Sequence, residues 1–137
     1  MRAVEEARAE AADTDVRLPP LRLDQCDHRL LASALYAPQT SFAGIEKYPD
    51  LSSKAAALLY ALAKSQACAD GNKRLALILL LEFLALNGAT LNTTNDDLAD
   101  MIVETAETQA AARDDVVEQL TDRLGQIIVP LTMEDGQ

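Results

Sequence analysis

The stretch "QACADGNKRLALILLLEFLALNG", residues 66–88, joins a polar loop to the most apolar run of the chain. After Arg74 almost every position is Leu, Ile, Ala or Phe, so a helix formed here is apolar nearly all round. Such a helix is typical of a protein interior, because none of its faces suits water. Asn87-Gly88 then predicts the end of this helix, because helices often end at a Gly with left-handed backbone angles. The stretch therefore predicts a buried central helix at about residues 72–87.

Composition extends this prediction to the whole chain of 137 residues, in which hydrophobic residues make up 49% and aromatic residues 4%. Ala and Leu dominate the apolar residues, and both are strong helix formers. Residues that prefer strands are scarce by comparison. We therefore expect an all-α fold, a compact helical bundle with a single core.

Four further helices are predicted around the central one. The first three begin after a capping side chain, and the helices carry apolar residues at helical spacing. The predictions are a helix at about 27–36 after Asp27, one at 51–65 after Asp50, one near 96–110 after Thr94 or Asn95, and one near 114–128 that Pro130 helps to end. The intervening stretch 37–49 holds Pro38, Gly44 and Pro49, and it predicts a loop with a short extended piece. A loop of this length in a compact domain is usually either functional or disordered.

The sequence also predicts the domain organisation. Residues 1–25 are a helix-prone segment and a connector, broken by Pro19 and Pro20. Residues 26–130 form a single helical domain, and residues 131–137 a loose tail.

Net charge is −10, which argues against a basic surface for direct nucleic-acid binding. The first residues lack the apolar core of a signal peptide, and the longest apolar run is too short to cross a bilayer. We expect a cytoplasmic protein with no membrane partner. Cys26 and Cys68 do not form a secreted disulfide scaffold, and in the cytosol a bond between them is not expected.

The loop before the central helix has the chemistry of an anion site. Gly71 permits backbone angles closed to other residues, and the first amides of a helix attract anions. Lys73 and Arg74 stand in the first turn, where a positive charge costs roughly 0.3–1 kcal/mol, so a bound phosphate would compensate them. Asn72 can donate to the same oxygens, and Asp70 can cap the helix or hold Mg²⁺.

A plainer interpretation stays open at this point. Asp70-Gly71-Asn72 is also an ordinary turn between two helices, and Lys73 and Arg74 also suit a solvated surface. On that interpretation the chain is a helical scaffold without a phosphate site.

The motif "DGNKR", followed by an apolar helix that ends in "FLALNG", resembles the Doc (death-on-curing) branch of the Fic/Doc superfamily. The upstream stretches "HRLLASALYAPQ" and "FAGIEKYPDLSSKAAALLYALAK" resemble it in order and spacing, so the similarity covers about residues 26–125. The resemblance implies a helical bundle with the motif loop before a central helix. It also implies ATP and Mg²⁺ as cofactors, and transfer of the γ-phosphate to a protein hydroxyl on elongation factor Tu. A Phd-like antitoxin is a further implied partner.

By this resemblance Asp70 holds Mg²⁺, Gly71 and Asn72 belong to the anion-binding loop, and Lys73 and Arg74 contact the nucleotide phosphates. Members of the family that transfer AMP carry a second Arg three positions after the first. Leu77 occupies that position here, which favours the Doc branch.

The chain departs from the family motif at the position of its general base. The family His aligns with Gln66, its Pro with Ala67 and its Phe with Cys68. A Gln amide neither gains nor loses a proton near neutral pH, and loss of a general base costs about 10²–10⁴-fold in rate. We therefore expect phosphate binding to survive and transfer to be attenuated or absent. The alternative is a non-catalytic pseudoenzyme or binding module that sequesters an antitoxin or a translation partner.

Three more side chains have open roles. The single histidine, His28, is expected at the surface or at a helix start. Cys68 either fills the position of the family Phe, which we favour, or serves as a reactive thiolate at the helix start. Tyr48 either shapes a flap for a target, as the similar segment does in the family, or covers the core.

Overall fold

A computed structural model describes residues 25–68 and 71–131 of the chain. These residues contain five α-helices: α1 His28–Tyr36, α2 Leu51–Ser65, α3 Asn72–Leu86, α4 Asn95–Ala106 and α5 Arg113–Ile127. Two short 3₁₀ helices, Ala37–Gln39 and Ala110–Ala112, precede a hairpin and α5 respectively. The predicted all-α bundle is confirmed. The predictions for residues 1–24 and 132–137, and those for Asp70, lie outside the described residues.

The helix starts follow from local capping, as predicted. The side chain of Asp27 accepts hydrogen bonds from the amides of Arg29 and Leu30. Asp50 and Ser53 cap each other reciprocally at the start of α2. Thr94 accepts from the amide of Asp97 at the start of α4. In each of these helix starts the capping side chain and the backbone amide that it bonds are only two or three residues apart.

The end of α4 differs from the prediction, because the helix stops at Ala106 rather than near residue 110. The ammonium of Lys64, which comes from α2, donates to the carbonyl oxygens of Ala106 and Thr108. A cation that bonds the last carbonyls of a helix stabilises its end. This contact joins residues more than 40 positions apart, so the local sequence of α4 does not contain it.

Two small antiparallel sheets accompany the helices in the described residues. Strands β1 Ser41–Phe42 and β2 Ile45–Glu46 form a hairpin. Strands β3 Ala89–Leu91 and β4 Ile128–Pro130 pair with Thr90 opposite Val129. From the sequence, Pro130 was expected to help end α5. Instead α5 ends because Ile128 is extended and enters β4, where it pairs with a strand far away in the sequence.

The core lies between α2 and the helices around it, since α2 packs against all four of the other described α-helices. Three consecutive alanines in α2, Ala55–Ala57, are buried, and small side chains let neighbouring helices approach closely. Helix α3 is buried along most of its length, as predicted, and packs against α2, α4 and β3. The largest fully buried side chains are Leu31, Leu58, Leu59, Leu79, Leu80, Leu84, Leu98, Ile102 and Leu124.

None of the described helices combines the length and the apolar character that crossing a bilayer would require. Helix α3 has 15 residues and includes Glu82, whose side chain the fold buries.

Candidate functional site

The motif loop, which we define as residues 66–71, connects the end of α2 to the start of α3. Gln66 directly follows α2 and has left-handed backbone angles, φ 48° and ψ 36°. Gly71 directly precedes α3 and is also left-handed, with φ 81° and ψ 16°. The role of Gly71 agrees with the backbone freedom expected of a glycine there. The left-handed turn at Gln66 was not foreseen, because a Gly or Asn is the usual signal for it.

Three hydrogen bonds fix the first half of the motif loop. The Asn72 side chain accepts from the backbone N–H of Cys68 at 2.9 Å and donates to its carbonyl oxygen at 2.7 Å. The backbone N–H of Asp27 donates to the carbonyl oxygen of Ala67 at 2.6 Å. Ala67 and Cys68 are both buried, so these bonds hold a part of the loop that is also packed into the core.

The Asn72 carboxamide therefore has a structural partner in addition to its expected role at a phosphate. Its NH₂ group carries two hydrogens, and the carbonyl of Cys68 takes one of them. Among residues 25–68 and 71–131 the other N–H meets no second acceptor, so it can donate to a ligand. Sequence reasoning assigned Asn72 to the anion, and it missed the contact that places this residue in the loop.

Cys26 and Cys68 form a disulfide, contrary to the expectation from the sequence. That expectation considered the cellular compartment and not the distance between the two residues. In the fold, Cys26 and Cys68 face each other in an isolated antiparallel bridge, with their Cα atoms 3.9 Å apart. Cys68 is buried in the core, as expected for the position of the family Phe. In the disulfide it has no thiol to act as a base or nucleophile.

The same contacts bring the start of α1 to the motif loop. His28 is the first residue of α1 and follows Asp27, whose backbone is bonded to Ala67. His28 is exposed and lies at a helix start, as expected. The sequence alone did not relate it to the loop, because about 38 residues separate it from Gln66 and no local signal spans that distance.

The start of α3 concentrates positive charge. Lys73 is exposed and Arg74 is half-buried. Within the part of the chain that the structure describes, neither of them forms a salt bridge. The N-cap is Gly71, which offers no side chain to the first-turn amides. The first turn of any α-helix has amides without a partner inside the helix, and together with two cations they suit an anion.

Asp70, the residue expected to hold a metal ion, lies outside the described residues. Among residues 25–68 and 71–131, no three His, Cys, Asp or Glu side chains are grouped closely enough to hold one. The two cations and the first-turn amides of α3 are the described groups that suit a phosphate.

The hairpin β1–β2 rises from the stretch between α1 and α2. Its turn residues Ala43 and Gly44 both have positive φ, as a tight two-residue hairpin turn requires. Phe42 and Ile45 are cross-strand partners and are 84% and 73% exposed, so one face of the hairpin is apolar and open.

Charged side chains attach the base of the hairpin to the helices. Lys54 of α2 donates to the carboxylate of Glu46 at 2.7 Å and to the carbonyl oxygen of Tyr48 at 2.6 Å. Lys47 reaches Asp114 of α5 at 3.5 Å. Tyr48 itself is half-buried and packs against the core, which agrees with the second of its two expected roles.

Comparison with known proteins places this arrangement in a family. A model of the Fic/DOC family matches residues 4–84, a range that contains α1, the hairpin, α2, the motif loop and most of α3. The toxin Doc of Mycolicibacterium smegmatis is 38% identical to the chain over 95 residues, which cover 69% of this chain and 73% of that protein. The chain belongs to the Fic/DOC family.

Proposed function

We propose that this chain is a Doc-like toxin of a toxin–antitoxin module. In this proposal it binds the phosphates of ATP at residues 71–74 and directs a phosphoryl group to a hydroxyl of a cytoplasmic protein. Family membership and the similarity to a protein named toxin Doc support the module and an antitoxin partner of the Phd type. Elongation factor Tu is the target that the resemblance suggests.

The observation that carries the proposal is the start of α3. A left-handed glycine opens the helix, two cations follow it, and no described carboxylate neutralises them. When bound, ATP would supply the transferable phosphoryl group, and Mg²⁺ would neutralise part of its charge. Asp70 is the residue that would hold the metal ion. Gly71, Asn72, Lys73 and Arg74 would hold and orient the phosphates.

Gln66 sets the expected rate. It is exposed at the entrance to the motif loop, so its amide can hydrogen-bond to a target hydroxyl and orient it. It cannot accept the proton that the hydroxyl must lose. We therefore propose transfer slowed by about 10²–10⁴-fold relative to a His at this position.

Calorimetry with MgATP and a phosphate-transfer assay on elongation factor Tu test the proposal. The key variant is Gln66→His, and Gln126→His is the matched control. Gln126 is exposed and neighbours Gly125, which lies against Ser52 at the other end of α2. Because α2 has 15 residues, about 22 Å separate the two substitutions.

We expect the wild type and both variants to bind MgATP, and Gln66→His alone to raise the transfer rate. If none of the three proteins binds nucleotide, the proposed phosphate site is wrong. If all bind but Gln66→His gains no transfer, the proposed role of position 66 or the proposed target is wrong.

A second candidate function rests on the same Gln66. A protein without a proton acceptor can persist as a pseudoenzyme that sequesters an antitoxin or a translation partner. Growth assays of cells that express the chain separate the two functions. A growth defect caused by sequestration should survive Arg74→Ala and Asp70→Ala, whereas a growth defect caused by phosphoryl transfer should not. Loss of the growth effect in both variants would exclude the pseudoenzyme.

A further inference from the structure

The Cys26–Cys68 disulfide connects the start of α1 to the motif loop, four residues before α3 begins. We propose that this pair is a reversible thiol–disulfide site, and that its oxidation state sets how tightly the start of α3 binds the phosphates of ATP. The second half of this inference rests on the proposed function.

The chemistry needs a dithiol reductant, and burial indicates which sulfur it attacks. Cys68 is buried, whereas Cys26 is half-buried and therefore the more accessible of the two. A thiolate of the reductant attacks the Sγ of Cys26, and the Sγ of Cys68 leaves and takes up a proton. The second thiol of the reductant then displaces the Sγ of Cys26 from the mixed disulfide. The protein gains two electrons and two protons, and the reductant becomes a disulfide.

The contacts of Cys68 provide the path from the disulfide to the helix. Its backbone N–H and its carbonyl oxygen are both bonded to the side chain of Asn72, the first residue of α3. The disulfide fixes Cys68 from the side of α1. A movement of Cys68 therefore changes the position of Asn72 and of the amides that follow it.

Oxidation should strengthen phosphate binding. In the oxidised chain the loop is held by the disulfide and by the three hydrogen bonds of Asn72 and Asp27. In the reduced chain the covalent link is absent, and the loop must be ordered when the ligand binds. Ordering a loop on binding lowers the affinity, whereas a preorganised loop avoids that cost.

The proposed function also implies a reducing environment for the disulfide. A toxin that acts on a translation factor works among reducing thiols, where disulfides are mostly transient and redox-sensing. A disulfide that ties the motif loop to the start of α1 suits such a role better than a permanent structural one.

The first experiment measures the redox state of the full-length chain. The protein is equilibrated in mixtures of reduced and oxidised dithiothreitol, quenched with acid, treated with excess maleimide in denaturant so that both thiols are accessible, and weighed intact. We expect two labels per chain on the reduced side and none on the oxidised side. A chain that carries no label at any ratio, or two labels at every ratio, would refute the reversible site.

The second experiment measures MgATP binding by calorimetry in the two states. We expect the dissociation constant to rise by at least about 5-fold on reduction. Cys26→Ser should bind like the reduced wild type, and dithiothreitol should not change its affinity. Cys26→Ser leaves the buried sulfur of Cys68 in place, so it is the variant least disruptive to the core. Equal affinities of the oxidised and reduced wild type would overturn the coupling.

Hydrogen exchange distinguishes failure of this inference from failure of the proposed function. If neither state binds nucleotide, the proposed function fails, and exchange in the ligand-free protein still decides whether the disulfide orders the site. We expect the amides of residues 67–75 to exchange faster after reduction, and those of α5 to remain unchanged. Equal exchange of residues 67–75 in both states would refute the inference. This comparison uses the wild type alone, so it holds even if Cys26→Ser fails to fold.

Discussion

Asn72→Ala should destabilise the protein more than the identical change at the other end of the same helix. The Asn72 carboxamide makes two hydrogen bonds to the backbone of Cys68, at 2.9 and 2.7 Å, in a partly buried position. Each such bond contributes about 1 kcal/mol net, and the loss leaves two backbone groups of a buried residue without this partner. Alanine is the better helix former by up to about 0.7 kcal/mol, which offsets part of the cost. We expect the free energy of unfolding to fall by about 2 kcal/mol.

Asn87→Ala is the matched control, since Asn87 follows the last residue of α3. Its side chain makes one exposed hydrogen bond, to the carbonyl oxygen of Phe83 at 2.8 Å. An exposed bond leaves its partner accessible to water, so we expect a loss of at most about 0.5 kcal/mol.

Urea denaturation followed by far-ultraviolet circular dichroism measures both variants. The chains are kept oxidised, so the disulfide constrains the denatured state equally in each. Equal losses for the two variants would refute the argument that Asn72 holds the motif loop. A further variant, Asn72→Asp, keeps an acceptor for the Cys68 N–H but loses the donor, so its loss should lie between the two.

Three further predictions concern the core, a helix start and the entrance of the motif loop. Leu80→Ala should lower the free energy of unfolding by about 2–5 kcal/mol in urea denaturation, because Leu80 is 0% exposed. Leu86→Ala, at a 71% exposed position of the same helix, should stay within about 0.5 kcal/mol of wild type. Similar losses for the two variants would contradict the placement of the core. Hydrogen bonds from Ser53 hold the pKa of Asp50 below its usual range. A lowered folded-state pKa stabilises the protein above the unfolded pKa, near pH 4, and that stabilisation is lost as pH falls through the folded value. Asp50→Asn keeps the cap without the titration, so its stability should fall less than that of wild type between about pH 5 and pH 3, and parallel pH profiles would contradict this. Gln66→Gly should stabilise the protein by up to about 1 kcal/mol in the same denaturation assay, because Gln66 has left-handed angles that glycine adopts without a steric cost; a loss of stability would show that the side chain makes a compensating contact.

Several features of this protein follow from neighbouring residues and could be predicted without the fold. Asp27, Asp50 and Thr94 mark the starts of α1, α2 and α4, because a capping side chain bonds amides two or three positions further on. The apolar run after Arg74 predicts the buried helix α3, which is confirmed. The motif around Gly71 predicts an anion site at the start of that helix, and this site stays a prediction. The family itself was predicted from the same motif.

Other features depend on pairs of residues that are far apart in the sequence, and local patterns carry no information about them. The pairing of β3 with β4 joins residues about 40 positions apart, and Lys64 ends α4 from a different helix. The Cys26–Cys68 disulfide closes a separation of 42 residues.

The candidate site also has one part that depends on neighbouring residues and one part that depends on the packed fold. The residues proposed to bind a phosphate lie next to one another in the chain, so the sequence alone could point to them. Their positions depend on the contacts of Cys68 with Cys26 and Asn72, which form only when α1, α2 and α3 pack together. Burial of the apolar faces of these helices provides the free energy that brings the start of α1 to the motif loop. The chemistry of the site is thus local, whereas the order of its loop is a product of the packed core.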